Sequence, residues 1–195
     1  MTKLRMITLI ALLTVFMSQG LAPAVSATSD GAVKETPVQQ PSVQEALAVQ
    51  LWSFRNDFKK DVLGTLKRVR AMGFTNVELA GYYDMTAQQF REALDNAGLK
   101  AIGMHIEYET ARDKIDEVIR EAKILGVQEV GVPWINSPFT KKDCLQAIDV
   151  FNRAGEKLAA NGFRFFYHIH GYEFVPNKGG KGTLFDLLME KTDPR

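Results

Sequence analysis

Four stretches of this chain repeat one pattern: "GFTNVEL" from Gly73, "GLKAIGM" from Gly98, "GVQEVGV" from Gly126 and "GFRFFYH" from Gly162. Each opens with glycine and an apolar residue, then runs into a segment rich in Val, Ile or Phe. The segments before these glycines, "DVLGTLKRVRAM", "TAQQFREALDNA", "RDKIDEVIREAKIL" and "CLQAIDVFNRAGEKLAAN", place apolar residues at helical spacing with charges between them. A glycine that accepts a left-handed conformation ends a helix, and a buried strand follows at once. The unit is therefore helix then strand, and "LAVQLWSF" supplies a strand ahead of the first helix. The pattern predicts five strands, near 47–52, 76–80, 101–106, 128–132 and 163–169, with a last helix in "TLFDLLMEK". Near-continuous apolar strands alternating with helices form a parallel sheet with right-handed crossovers, which makes the fold class α/β.

An open doubly wound sheet and a (β/α) barrel both begin this way. No strand is followed by G-x-G-x-x-G or G-x-x-x-x-G-K-[ST], so the phosphate fingerprints of nucleotide-binding sheets are missing. Polar and aromatic residues collect instead at the carboxyl ends of the expected strands: Trp52, Glu78, His105 with Glu107, Trp134, and His168 with His170. Convergence of that kind favours the mouth of a TIM-type barrel. A full barrel takes about 250 residues, so the expectation for 195 residues is a (β/α) barrel truncated after about five βα units.

The amino-terminal segment is set apart from this pattern. Lys3 and Arg5 precede the apolar run "MITLIALLTVFM", and "AVSA" supplies small residues for signal peptidase, so residues 1–27 read as a cleaved export signal. The alternative, an uncleaved anchor, is disfavoured by Ser18 and Gly20 within the run and by the lack of a stop-transfer charge cluster. Residues 28–45, rich in Ser, Thr, Gln and Pro, read as a disordered spacer, which leaves 46–195 for one domain. The expected location is periplasmic or secreted, with no stable membrane anchor after cleavage. Loss of Lys3 and Arg5 leaves 22 basic against 23 acidic residues, which is not the basic footprint of a nucleic-acid binder. The one cysteine, Cys144, falls in a helical pattern and excludes a disulfide framework.

In "YHIHGYEF", residues 167–174, His168 and His170 are two apart on a strand and project to one face, and Gly171 lets the chain turn so that Glu173 folds back toward them. This is either a metal or catalytic corner or a pair of core-edge histidines held by backbone carbonyls. "NKGGKGT", residues 177–183, lacks P-loop spacing and suits a flexible lid better than a phosphate cradle.

The stretches "VQLWSFRNDFKKDVLGTLKRVRAMGFTNVELAGYY", "DNAGLKAIGMHIEYE", "LGVQEVGVPWI" and "FYHIHGYEF" together resemble the sugar phosphate isomerase/epimerase family, the xylose isomerase-like barrels that also include endonuclease IV. The resemblance runs from about Ala48 to the last residue. It implies an eight-stranded barrel that isomerises, epimerises or dehydrates a small-molecule sugar or polyol with one divalent metal, often Mn²⁺. It implies Glu173 as a metal ligand, His105 and His168 as catalytic groups, and Glu78, Trp134 and His170 as substrate-binding groups. The strands that carry the family's later ligands would follow "TDP". The expected ligand set is therefore incomplete, with a non-catalytic carbohydrate-binding fragment as the alternative and self-association through open sheet edges as a consequence.

Overall fold

The computed structural model describes residues 47–194. The export signal expected at 1–27 and the spacer expected at 28–45 lie outside the described residues. Five strands, β1 (Ala48–Gln50), β2 (Asn76–Leu79), β3 (Lys100–His105), β4 (Glu129–Val132) and β5 (Arg164–Tyr167), form one sheet in sequence order. Every neighbouring pair is parallel. The connecting helices are α1 (Arg55–Phe58), α2 (Val62–Ala71), α3 (Ala87–Ala97), α4 (Tyr108–Asp113), α5 (Ile115–Leu125) and α6 (Lys141–Ala159), and α7 (Leu184–Lys191) follows the sheet. Among the described residues the sheet is open, with β1 and β5 as its edges. No described helix is long and apolar enough to cross a membrane.

The repeat glycines do what their position requires. Gly73, Gly98, Gly126 and Gly162 all have positive φ, between 70° and 99°, which lets each helix stop and the chain reverse into its strand. At the other end, Thr86, Thr140 and Thr183 cap α3, α6 and α7 in reciprocal capping boxes with Gln89, Asp143 and Asp186. Two sequence expectations are corrected. The single helix expected in "RDKIDEVIREAKIL" is two, broken at Lys114, whose φ of −132° and ψ of 28° are not helical. The first strand is three residues long because Leu51–Phe54 winds into a 3₁₀ turn.

The sheet has two chemically different faces. Val77, Leu79, Met104, Val130 and Val132 are fully buried on the helix side, packed with Leu66 and Val69 of α2, Phe90 and Leu94 of α3, and Val118 and Ala122 of α5. The other face carries a register row in which Gln50, Glu78, Gly103, Glu129 and Arg164 are successive Cα partners. A second row, His105, Gly131 and Phe166, lies one step nearer the carboxyl edge. An apolar cleft of about 440 Å³ lies between α6, α7 and β5, walled by Phe151, Phe165, Phe185 and Leu188.

Gly131 is required by its neighbour. A Cβ there would fall 2.3 Å from the Phe166 ring, whose centroid is 5.6 Å from that of His105. Gly131→Ala is expected to cost about 1–3 kcal/mol, the usual scale of overpacking. Urea denaturation checks it through a lower midpoint at unchanged slope.

Candidate functional site

The carboxyl ends of the strands meet at a cleft of about 590 Å³ whose lining includes Gln50, Trp52, His105, Trp134, His168 and His170. Parallel strands end in the same sense, so residues at the ends of β1, β2, β3 and β5 converge without any long connection. Gln50 and Glu78 are paired partners in the row described above, and the Gln50 Nε2 donates to Glu78 Oε1 at 2.7 Å. The same amide nitrogen is 3.3 Å from His168 Nδ1. His105 Nε2 stands 2.8 Å from Glu78 Oε1, with only 7% of the side chain exposed. Despite that distance, the His105 nitrogen is buried without a hydrogen bond of acceptable geometry, so it is close to the carboxylate but not aligned on it. The His105 and His168 rings meet edge to face, 5.4 Å between centroids.

The electrostatics follow from these contacts. His105 holds the Glu78 carboxyl below its usual value of 4.5, with burial opposing and Gln50 adding to the effect. Burial, and then the charges of His170 and His105, hold the His168 imidazole below its usual value of 6.5. At neutral pH the cluster therefore contains a carboxylate and a neutral imidazole. Glu78, His105 and His168 each offer a ligand atom, all within 4.8 Å of one another, a set that suits a divalent metal.

The strand expected at 163–169 ends at Tyr167. His168 N still donates to Val132 O at 3.1 Å, but Gly171, at φ 95°, turns the chain away, so His170 is an exposed loop residue and not a strand residue. Both histidines nonetheless line the cleft, with ring centroids 4.8 Å apart. Trp134 lies edge-on to His170 at 5.3 Å and to Tyr172 at 4.7 Å. Trp52, also in the lining, is 56% exposed and has the Arg55 guanidinium over its ring at 5.1 Å.

Glu173 occupies a different environment. It is fully buried, and its oxygens accept from the Tyr167 hydroxyl, from His170 N at 3.2 Å and from Gly171 N at 2.7 Å. Tyr167 also bonds the Tyr172 hydroxyl, which accepts from Ile135 N at 3.0 Å. Glu173 thus ties the loop after β5 to the loop after β4 and holds Trp134 beside His170. Both of its oxygens are engaged inside the protein, and it stands outside the Glu78, His105 and His168 cluster. Sequence reasoning missed Gln50, although a lone polar residue in the apolar "LAVQLW" is the signal that marks it. Cys144 is buried, donates to Leu184 O, and has its thiol pushed up to about 11 by burial, so it plays no part in the cleft. In the "NKGGKGT" turn, Pro176 and Thr183 close an antiparallel bridge.

The acid response of the metal-free protein follows from Glu78 and His168. Both have folded values below their unfolded ones, so both bind protons more readily in the unfolded chain, and their contribution is complete only above 6.5. Stability is expected to decline as pH falls below 6.5 through His168, and again below 4.5 through Glu78. Thermal melts across pH 4–8 check this, and His168→Phe is expected to flatten the upper step.

No protein-family model matches the chain, and no curated protein matches it. Solved structures do. The chain is similar to a sugar phosphate isomerase/epimerase from Parabacteroides distasonis at 23% identity and TM-score 0.64, over 76% of this chain and 65% of that one. A second sugar phosphate isomerase/epimerase from the same organism is 26% identical at TM-score 0.60, over 76% and 62%. A xylose isomerase-like TIM barrel protein from Mycobacterium smegmatis, solved in complex with magnesium, is 16% identical at TM-score 0.50, over 62% and 54%. The chain therefore spans just under two thirds of the length of the two Parabacteroides structures. With five parallel βα units in sequence order and these neighbours, the chain has the fold of the xylose isomerase-like TIM barrels.

Proposed function

We propose that this chain binds a sugar or polyol in the cleft at the carboxyl edge of its sheet and supports proton transfer of the isomerase/epimerase type. One observation carries the proposal: Gln50, Glu78, His105 and His168, from four different strand ends, meet in one polar cluster beneath a cleft flanked by exposed Trp52 and Trp134. Flat aromatic faces suit the apolar faces of a sugar ring, and carboxylate, imidazole and amide groups suit its hydroxyls. Glu78, His105 and His168 would hold a divalent metal, Mn²⁺ or a similar ion, in place of Glu173, whose oxygens serve the loop brace. Such a metal, when bound, polarises a carbonyl or hydroxyl oxygen. His170, exposed and beside both His168 and Trp134, is the group placed to exchange a proton with a substrate hydroxyl or an adjacent carbon.

A second reading, carbohydrate binding without turnover, draws on one fact: Glu173 is taken up by the loop brace. Export to the periplasm or medium belongs to the same proposal, and a mature terminus at Thr28 is its check. So does self-association through the sides of β1 and β5, which are the sheet edges among the described residues.

Deuterium incorporation next to the carbonyl of aldoses and ketoses, followed by NMR in heavy water with Mn²⁺ or Zn²⁺ present, tests the catalytic reading. Exchange is expected in the unaltered chain, to fall by about 10²- to 10⁴-fold in His170→Phe, and to vanish in His105→Ala. Sugar binding by calorimetry without exchange favours the second reading, and no binding of any sugar or polyol sinks both.

A further inference from the structure

Gln50 holds an unusual place in the cluster. Its amide nitrogen lies between two acceptors, Glu78 Oε1 at 2.7 Å and His168 Nδ1 at 3.3 Å. Beside it, the buried His105 Nε2 faces the same carboxylate oxygen at 2.8 Å without an aligned hydrogen bond. Two electron-pair donors thus face one N–H₂ group, and the ligand atoms of Glu78, His105 and His168 all lie within 4.8 Å of one another. In that orientation the amide does the work of a cation, supplying positive hydrogens to a carboxylate and an imidazole. A carboxamide has nearly the same shape when its oxygen and nitrogen exchange places, so a half-turn about its last bond replaces the donor with an acceptor. With no cation the turned amide would set an oxygen against a carboxylate, which is unfavourable. With a cation the turned amide adds a fourth ligand.

We propose that Gln50, Glu78, His105 and His168 form a four-ligand N₂O₂ site for a borderline divalent cation of the zinc type, and that the Gln50 amide turns over when the cation binds. The inference rests on the reading of this cluster as a metal site and extends it to the ligand set and the class of metal. Two imidazole nitrogens with two oxygens suit Zn²⁺ or Co²⁺, whereas Mg²⁺ takes oxygen ligands and water in octahedral geometry. The four protein ligands are drawn from the ends of β1, β2, β3 and from just beyond β5, and three of the four are placed by strands and not by loops.

The full chain, freed of metal, is titrated with Zn²⁺, Co²⁺ and Mg²⁺ in turn by calorimetry, and the Co²⁺ form is examined by visible absorption. One equivalent of Zn²⁺ or Co²⁺ is expected to bind, the Co²⁺ form showing the intense bands of four-coordination, with no saturable heat from Mg²⁺. Gln50→Ala is expected to weaken Zn²⁺ by about 10- to 100-fold and to lose those bands, while Gln50→Glu, which keeps an oxygen ligand, binds at least as tightly as the unaltered chain. Tighter or unchanged Zn²⁺ binding in Gln50→Ala would show that the amide only substitutes for the cation and would overturn the turnover. Saturable Mg²⁺ binding as tight as Zn²⁺, or Zn²⁺ affinity lost in Glu173→Gln but kept in Gln50→Ala, would overturn the ligand set. Gln50→Glu answers the question if Gln50→Ala fails to fold. No sugar enters these titrations, so their failure is separate from failure of the deuterium-exchange assay.

Discussion

The contact on which the cleft depends is the approach of three nitrogen-bearing side chains to one carboxylate, Glu78. Gln50 reaches it from β1, His105 from β3, and His168, from beyond β5, joins through the Gln50 amide. A half-buried carboxylate beside His105 and hydrogen-bonded by Gln50 keeps its charge, because these partners outweigh the cost of partial burial. The neighbouring imidazole is pushed the other way, toward its neutral form. A charged oxygen ligand beside a neutral nitrogen ligand is the combination that both metal binding and proton transfer use.

The rest of the fold supports that contact. The parallel register sets Gln50 directly across from Glu78, and the same register sets Gly131 between His105 and Phe166. The missing side chain at 131 gives Phe166 the space from which it packs against the His105 ring. Beneath this, the helices hold the sheet by burying Val77, Leu79, Val130 and Val132. Above it, Glu173, Tyr167 and Tyr172 fix the two loops that carry Trp134 and His170. A buried carboxylate with every oxygen matched by a donor rigidifies a loop, and here that loop forms one wall of the cleft.

Glu173 and Glu78 show how similar residues take opposite tasks. Both lie near a histidine in the sequence or in space, and the resemblance to known barrels points to Glu173 as the ligand. The turn at Gly171 instead folds Glu173 under its own loop, onto the backbone N–H groups of His170 and Gly171. Glu78, in contrast, stays at a strand end where its Oε1 meets the Gln50 amide and the His105 ring. The difference is one of local backbone path, which gives Glu173 the N–H groups of its own loop as partners and Glu78 the side chains of neighbouring strands.

The sequence by itself determined the alternation of helix and strand, the parallel sheet, and the collection of Glu78, His105, Trp134, His168 and His170 at one edge. Those follow from periodicity, from helix-ending glycines at 73, 98, 126 and 162, and from the common sense of parallel strands, all of which are local or nearly local. Only the tertiary structure decided that Gln50 belongs to the cluster, that α4 and α5 are separate helices, and that Glu173 braces a loop. Gln50 and His168 are 118 positions apart, and their meeting depends on register across the sheet and on the turn after β5, neither of which is written in any one segment. Side-chain partnership is a property of closure in space, and a chain read residue by residue gives each group's chemistry without its neighbours.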